Sequence, residues 1–351
     1  MSRVQIPGLV DVHVHLRFPG GEHKESIASG TAAALAGGVT ALLAMPNTSP
    51  PITDGPRLAA ARVEHGRRAL CDVGVFVGAT GDNAAVAAAC AAHACGLKIY
   101  VNDTFGPLRI ERLAALQEHF ACWPRDKPIV LHAEDVAVAA AIGLGAAHGR
   151  HVHIAHVSRA HEIRLIAAAK EAGLAVTCEV SPHHLFLTED DATRLGPYGH
   201  VRPALASAED RDALWRHLDV VDCIATDHAP HTRQEKDGPS PPPGVPGLET
   251  TLPLLLTAVH EGRLTLERLV ELASTTPARL FRIATPDEST VEVELGPRWV
   301  LPERGYLTRC DWSPYAGMAV RGRVLSTTLR GALAWDERGV RAAPGSGRLL
   351  F

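Results

Sequence analysis

Residues 8–20 read GLVDVHVHLRFPG, an apolar run that ends in two histidines one residue apart. A β-strand points residues i and i+2 to the same face, so a strand over Leu9–His15 directs His13 and His15 together at its C-terminal end. Similar runs rich in Val, Ile and Leu follow at Val39–Met45, Cys71–Ala79, Gly96–Asn102, Pro128–Ala133, His151–Val157, Ala175–Val180 and Val221–Thr226. Between them lie helical stretches at Lys24–Ala36, Gly55–Gly66, Asp82–Ala94, Leu108–His119, Ala160–Ala172 and Ala208–His217. Each is long enough for a right-handed crossover between parallel strands. The alternation predicts an α/β fold, a (β/α)8 TIM-like barrel over residues 9–282. After residue 282 the pattern changes to Thr290–Val300, Met318–Arg323, Val324–Leu329 and Leu333–Asp336, which read as strands with turns. Residues 1–8 and 283–351 are therefore expected to form a small β appendage from the N- and C-terminal segments. Lys236–Gly247, containing SPPPGVPG, reads as a shaped loop on the rim.

Composition narrows the function. The chain has 351 residues, 46% hydrophobic and 21% charged, which excludes disordered, collagen-like and disulfide-scaffold classes. Its net charge of −4 arises from 35 basic and 39 acidic residues without a long run of either sign, so nucleic acid is not an expected partner. No stretch approaches eighteen uninterrupted apolar residues and the N-terminus lacks a signal-peptide pattern, so a soluble cytoplasmic protein without membrane association is expected. The seven cysteines show no C-x-x-C spacing and read as buried reduced thiols. Histidine is the outlier, with 19 residues, several in tight sets.

Reactive groups of such barrels sit at the C-terminal ends of the strands. His13 and His15 end the first strand, Lys98 lies in the fourth, His132 ends the fifth, His156 ends the sixth and Asp227 follows the eighth. All six map to one rim. The imidazoles of His-x-His stand about 6.5 Å apart along the backbone, close enough to turn toward one divalent cation. Alone, the motif also fits two half-buried strand histidines. With His132, His156 and Asp227 at equivalent heights, the nitrogen and carboxylate donors favour a zinc-type site. A lysine inside an apolar strand either pairs with an acid or loses its charge. A neutral Lys98 amine can add carbon dioxide, giving a carbamate whose two oxygens can bridge two metals.

The run DVHVHLRFPG, followed in order by AMPNT, GLKIY, LHAE, HVSR, CEVSPHHL and ATDHAPH, resembles the cyclic amidohydrolases and among them the dihydroorotases. The likeness is closest to the dihydroorotase domain of the animal multifunctional pyrimidine-synthesis protein. It covers nearly the whole chain, including NDTF, VRPAL, PPPG and PGLETTLPLLLTAV. The resemblance implies reversible, zinc-dependent cyclisation of N-carbamoyl-L-aspartate to L-dihydroorotate in pyrimidine synthesis. By it, His13, His15 and Asp227 would bind one Zn2+, His132 and His156 a second, and carboxylated Lys98 with a hydroxide would bridge them. Asp227 would also move the proton as general base and acid.

The resemblance further implies a substrate pocket. Arg17 would pair with the substrate carboxylate, although a rim salt bridge is its other reading. Asn47 and His231 would complete that subsite, Pro243 and Gly244 would offer backbone groups to the ring, Arg202 would approach it, and Thr104 and Phe105 would form a lid. In the animal domain a cysteine precedes the residue matching His156 and, with the acid matching Glu179, could support another metal. Ala155 offers no donor, so two metals are expected and Glu179 is read as an outer acid. His151, His153, His183, His184 and His228 are given no ligand role. A homodimer is expected, and association with aspartate transcarbamoylase is allowed by the resemblance. A hydantoinase or allantoinase on the same site, and an inactive scaffold barrel for aspartate transcarbamoylase, are the alternatives.

Overall fold

The computed structural model describes residues 2–104, 106–284 and 288–351. Fourteen strands occur among them. In chain order they are β1 Arg3–Pro7, β2 Leu9–Val14, β3 Val39–Ala44, β4 Asp72–Val75, β5 Val77–Gly78, β6 Leu97–Tyr100, β7 Ile129–His132, β8 Val152–Ile154, β9 Val176–Val180, β10 Cys223–Ile224, β11 Thr290–Val300, β12 Ala319–Leu329, β13 Ala332–Asp336 and β14 Gly339–Val340. All six residues of β2 and of β3 are buried, as expected for parallel strands covered on both faces by helices.

The parallel strands form a three-stranded sheet, β2-β3-β4, and a six-stranded sheet, β10-β9-β8-β7-β6-β5. The run expected as one strand over Cys71–Ala79 divides at Phe76, where the chain changes partner. Phe76 N–H donates to Ala44 O at 3.0 Å, whereas Val77 N–H donates to Gly96 O at 3.2 Å. The last expected strand, Val221–Thr226, pairs only over Cys223–Ile224. Beyond it the backbone leaves the ladder and Asp227 takes a left-handed conformation with φ 46°, which turns its side chain out of the strand repeat.

The seam between β2 and the chain after β10 has a different kind of adhesive. One parallel bridge joins Val14 to His228, and His15 N–H donates to His228 O at 2.8 Å. Lower in the seam the buried Asp11 carboxylate accepts from the N–H groups of His13 and Thr226, each at 3.1 Å, and from Thr226 Oγ1 at 2.6 Å. It stands in for a missing ladder rung and ties together the two segments that carry His13 and Asp227. Burial raises the Asp11 carboxyl to about 7 against these hydrogen bonds.

Strands β1, β11, β12, β13 and β14 form one antiparallel five-stranded sheet. The two runs expected at Met318–Arg323 and Val324–Leu329 are one continuous β12, bulged against β11. A bulge inserts a residue without ending the strand, so the alternation slips while pairing continues. Thr327 Oγ1 donates to Leu35 O at 2.7 Å, fastening this sheet to the helix Ile27–Ala36. That helix begins later than expected because Ser26 caps it, leaving Lys24 and Glu25 in the preceding turn. The C-terminal segment returns to β4, where Val73 bridges Leu349.

Candidate metal centre

Six polar side chains converge above the parallel sheets. His13 Nε2 and His15 Nε2 lie 3.3 and 3.1 Å from Asp227 Oδ1. His132 Nδ1 and His156 Nε2 face each other at 2.9 Å. One donor atom from each of His13, His156 and Asp227 falls within 4.8 Å of the others, a grouping that can hold a metal ion. Lys98 is completely buried on β6, adjacent through Tyr100↔His132 to β7, and its Nζ has no hydrogen-bond partner among the described residues.

Electrostatics suit this set to a divalent ion. Burial lowers His15 to about 4 and moves His132 and His156 down as well, so these imidazoles are neutral with lone pairs to donate. Burial raises Asp227, but attraction to His13 and hydrogen bonding with His15 outweigh it and keep the carboxyl below its usual range. Burial lowers Lys98 to about 8, opposed by Glu179 and Asp227, which brings its amine near neutrality. The buried Lys98 Nζ is costly without a partner, and His132 Nδ1 and His156 Nε2 face each other with at most one proton between two neutral rings, so a cation there with a carbamate on Lys98 suits the set.

Glu179, on β9, contacts His13 Nδ1 directly and lies 3.1 Å from His153 Nε2. Burial raises its carboxyl, yet the His13 and His153 contacts hold it well below the ordinary carboxylate range. His228 is 3.2 Å from the buried carboxylate of Glu25 and accepts from Gly247 N–H at 3.1 Å. Glu25 also contacts Thr308 Oγ1 and accepts from Arg309 N–H, so it joins the C-terminal region to the segment bearing Asp227.

A cleft beside the cluster is lined by His15, Arg17, Asn47, Thr104, Arg202, Asp227, Ala229, Pro243 and Gly244. Six of the residues expected to meet substrate are thus brought to one wall. His231 stands behind Arg17, its Nε2 2.9 Å from the guanidinium and its Nδ1 3.2 Å from Lys24 Nζ. Burial and these cations push His231 strongly down, so it is neutral. Phe105 lies outside the described residues. Arg17 is 6% exposed with φ 59°, and its Nε donates to Pro230 O at 3.1 Å. Asn47 Oδ1 is 2.8 Å from His15 Nδ1, which links this wall to the metal cluster. Gly244 has φ 131°, and a Cβ there would lie 2.5 Å from Ala229 O. Its N–H donates to His200 O at 2.9 Å, so only its carbonyl remains on offer to a ring.

Four contributors escaped the sequence reading: Asp11, Glu25, Lys24 and Lys236. Asp11 had a signal, since it shares the parity of His13 and His15 in DVHVH. Lys236 Nζ donates to Pro197 O at 3.0 Å and Pro242 O at 2.9 Å, clamping the proline-rich loop. Lys236→Met should loosen the loop that presents Pro243 and Gly244. Loss of a charged hydrogen bond of about 1.5–3 kcal/mol predicts a KM about tenfold higher or more, with metal content unchanged. Steady-state kinetics beside metal analysis checks this.

A family model described as "Dihydro-orotase-like" matches residues 2–106. The chain is 50% identical over 346 residues to "Multifunctional protein CAD" of Squalus acanthias, covering 98% of this chain and 15% of that protein. It therefore spans about 15% of that relative's length. It is 36% identical over 362 residues to "Dihydroorotase" of Pyrococcus furiosus, covering 99% of this chain and 86% of that one. Among solved structures, an L-hydantoinase (dihydropyrimidinase) from Arthrobacter aurescens superposes with TM-score 0.93 at 28% identity, over 99% of this chain and 88% of that one. The inactive dihydroorotase-like domain of a Chaetomium thermophilum CAD-like multifunctional protein superposes with TM-score 0.86 at 28% identity, over the full length of both.

Proposed function

We propose, from the premise that this chain belongs to the dihydroorotase family, that it interconverts N-carbamoyl-L-aspartate and L-dihydroorotate. One observation carries the reading: the guanidinium of Arg17 is fixed in the cleft wall beside His15, Asn47 and Asp227. Its planar fork, held in the cleft wall, matches a carboxylate on the substrate. We read the two parallel sheets as arcs of one (β/α)8 barrel over residues 9–282, with 1–8 and 283–351 as an added β unit. The Val14–His228 bridge and the Asp11 carboxylate support that closure.

His13, His15 and Asp227 would hold one zinc ion and His132 and His156 another, and a carbamate on Lys98 would serve both. When bound, such ions polarise a carboxyl or amide carbonyl and acidify water toward neutral pH. The chain's own groups then divide the remaining work. Arg17 and Asn47 hold the carboxylate that does not react, and Thr104, Arg202 and the Pro243–Gly244 backbone orient the ring. In hydrolysis Asp227 takes a proton from the attacking water and returns it to the departing ring nitrogen. In cyclisation it takes the proton from the ureido nitrogen. We read the protein as a cytoplasmic homodimer, and association with aspartate transcarbamoylase accords with its likeness to the multifunctional relative.

The test is an ultraviolet assay of dihydroorotate turnover with metal analysis on the same sample. Turnover with two metals per chain supports the proposal. Metal with activity only toward neutral cyclic amides supports the hydantoinase reading, which the similarity to the Arthrobacter fold keeps in play. Neither metal nor turnover would make the chain a scaffold. Arg17→Met sharpens the choice: losing a charge-assisted contact of about 3 kcal/mol predicts roughly a hundredfold lower kcat/KM for dihydroorotate. An unchanged value overturns the carboxylate role.

A further inference from the structure

Behind His13 the barrel interior contains a chain of hydrogen-bonding groups that the proposed reaction does not use. Glu179 Oε1 meets His13 Nδ1, and Glu179 Oε2 lies 3.1 Å from His153 Nε2. His153 Nδ1 is 2.9 Å from Thr177 Oγ1, which is 2.8 Å from His151 Nε2. The spacing follows from strand geometry. His151 directly precedes β8, which carries His153, and Thr177 and Glu179 alternate on the neighbouring β9, with His153 and Thr177 in register. His13, His153 and Glu179 are each 1% exposed, and Phe281 packs edge-on against the His153 ring at 5.4 Å. The chain thus runs from the half-buried His151 at the base of the barrel to the metal cluster.

A hydroxyl has one proton to donate, and this sets the direction of the chain. If Thr177 donated to His151, a neutral His153 would have to donate from Nδ1 to Thr177 and leave a bare Nε2 facing the Glu179 carboxylate. Two acceptors would then be in contact. If Thr177 donates to His153 Nδ1, the His153 proton sits on Nε2 and points at Glu179, while His151 Nε2–H donates to Thr177. Every group is then paired. Glu179 in turn holds the His13 proton on Nδ1 and leaves the Nε2 lone pair toward Asp227.

We propose that His151, Thr177 and His153 are positioning residues that act through Glu179 to fix His13 in the single tautomer able to bind metal through Nε2. The inference rests on the reading of His13 as a metal ligand, and its consequences are read in the zinc-loaded protein. In the zinc-loaded full-length protein, His13 should show a protonated Nδ1 and an unprotonated Nε2, the nitrogen that lies 3.3 Å from Asp227 Oδ1.

His153→Leu removes the donor to Glu179 and should shift the His13 Nδ1–H signal of the zinc-loaded protein, because Glu179 loses its second tether. It should also weaken metal binding by about 10- to 100-fold, the scale for groups that orient a ligand. His153→Gln, which can still donate from its side-chain amide to Glu179, should recover most of that loss. Thr177→Val should shift the His13 signals in the same direction as His153→Leu, whereas Thr177→Ser should behave as the unmodified protein. Competition with a zinc chelator and 15N spectra of all four variants form the experiment. If His153→Leu does not fold, the threonine pair decides. Unchanged His13 signals and metal affinity in folded His153→Leu or in Thr177→Val overturn the proposal. An unmodified protein that binds no zinc would overturn the metal reading, whereas zinc bound with an affinity unmoved by these variants would overturn this inference alone.

Discussion

Lys98→Ala is expected to leave a folded protein that holds at most one tightly bound zinc and has lost nearly all turnover. Lys98 Nζ is buried on β6 without a hydrogen-bond partner among the described residues, within electrostatic reach of Glu179 and Asp227. The rest of β6, Leu97, Ile99 and Tyr100, supplies no carboxylate that could replace a bridge. Removing a group shared by two ions should cost more than the roughly 10- to 100-fold typical of groups that only orient a ligand. The truncated side chain leaves a cavity next to the metals, so a small carboxylate such as acetate should restore part of the lost activity. Metal analysis, turnover and the acetate titration are read together. Two tightly held zinc ions and near-normal turnover in Lys98→Ala would overturn the two-metal arrangement.

Asp227→Asn should preserve the outline of the site and lower turnover by about two to four powers of ten in both directions, the range ascribed to a positioned acid or base. The carboxyl of Asp227 is held below its usual range, where His13 and His15 outweigh burial, so it is ionised from pH 5.5 to 9 and ready to accept a proton. In the unmodified protein, hydrolysis of dihydroorotate should rise with pH and level off as the attacking water ionises. Cyclisation should be faster toward acidic pH, where a proton is available to expel water. The two profiles should cross, and the variant should flatten both. Measuring both directions across that range, with zinc loading checked at each pH, decides the matter. Full metal loading with unaltered pH dependence would move the proton role elsewhere. His231 is a poor substitute, because Arg17 and Lys24 flank its ring and oppose its protonation.

The sequence by itself determined where the parallel strands lie and which histidines end them, since short apolar runs set between helical stretches are local signals. His13 and His15 at the end of β2, His132 at the end of β7 and His156 just past β8 were legible for that reason. So was the gathering of Arg17, Asn47, Thr104, Arg202, Pro243 and Gly244 at one cleft, through ordered motifs. Tertiary structure alone decided the partners of buried polar groups. Asp11 meets Thr226 across 215 residues, Glu179 meets His13 across 166, and Glu25 meets Thr308 across 283. It also decided the break at Phe76, where one apolar run serves two sheets, and the bulged β12 that joins two expected strands. Periodicity records which side of a strand faces inward. A buried polar group's partner is set by whichever distant strand or loop the fold brings within hydrogen-bond reach, because an unpaired group there is too costly to leave alone.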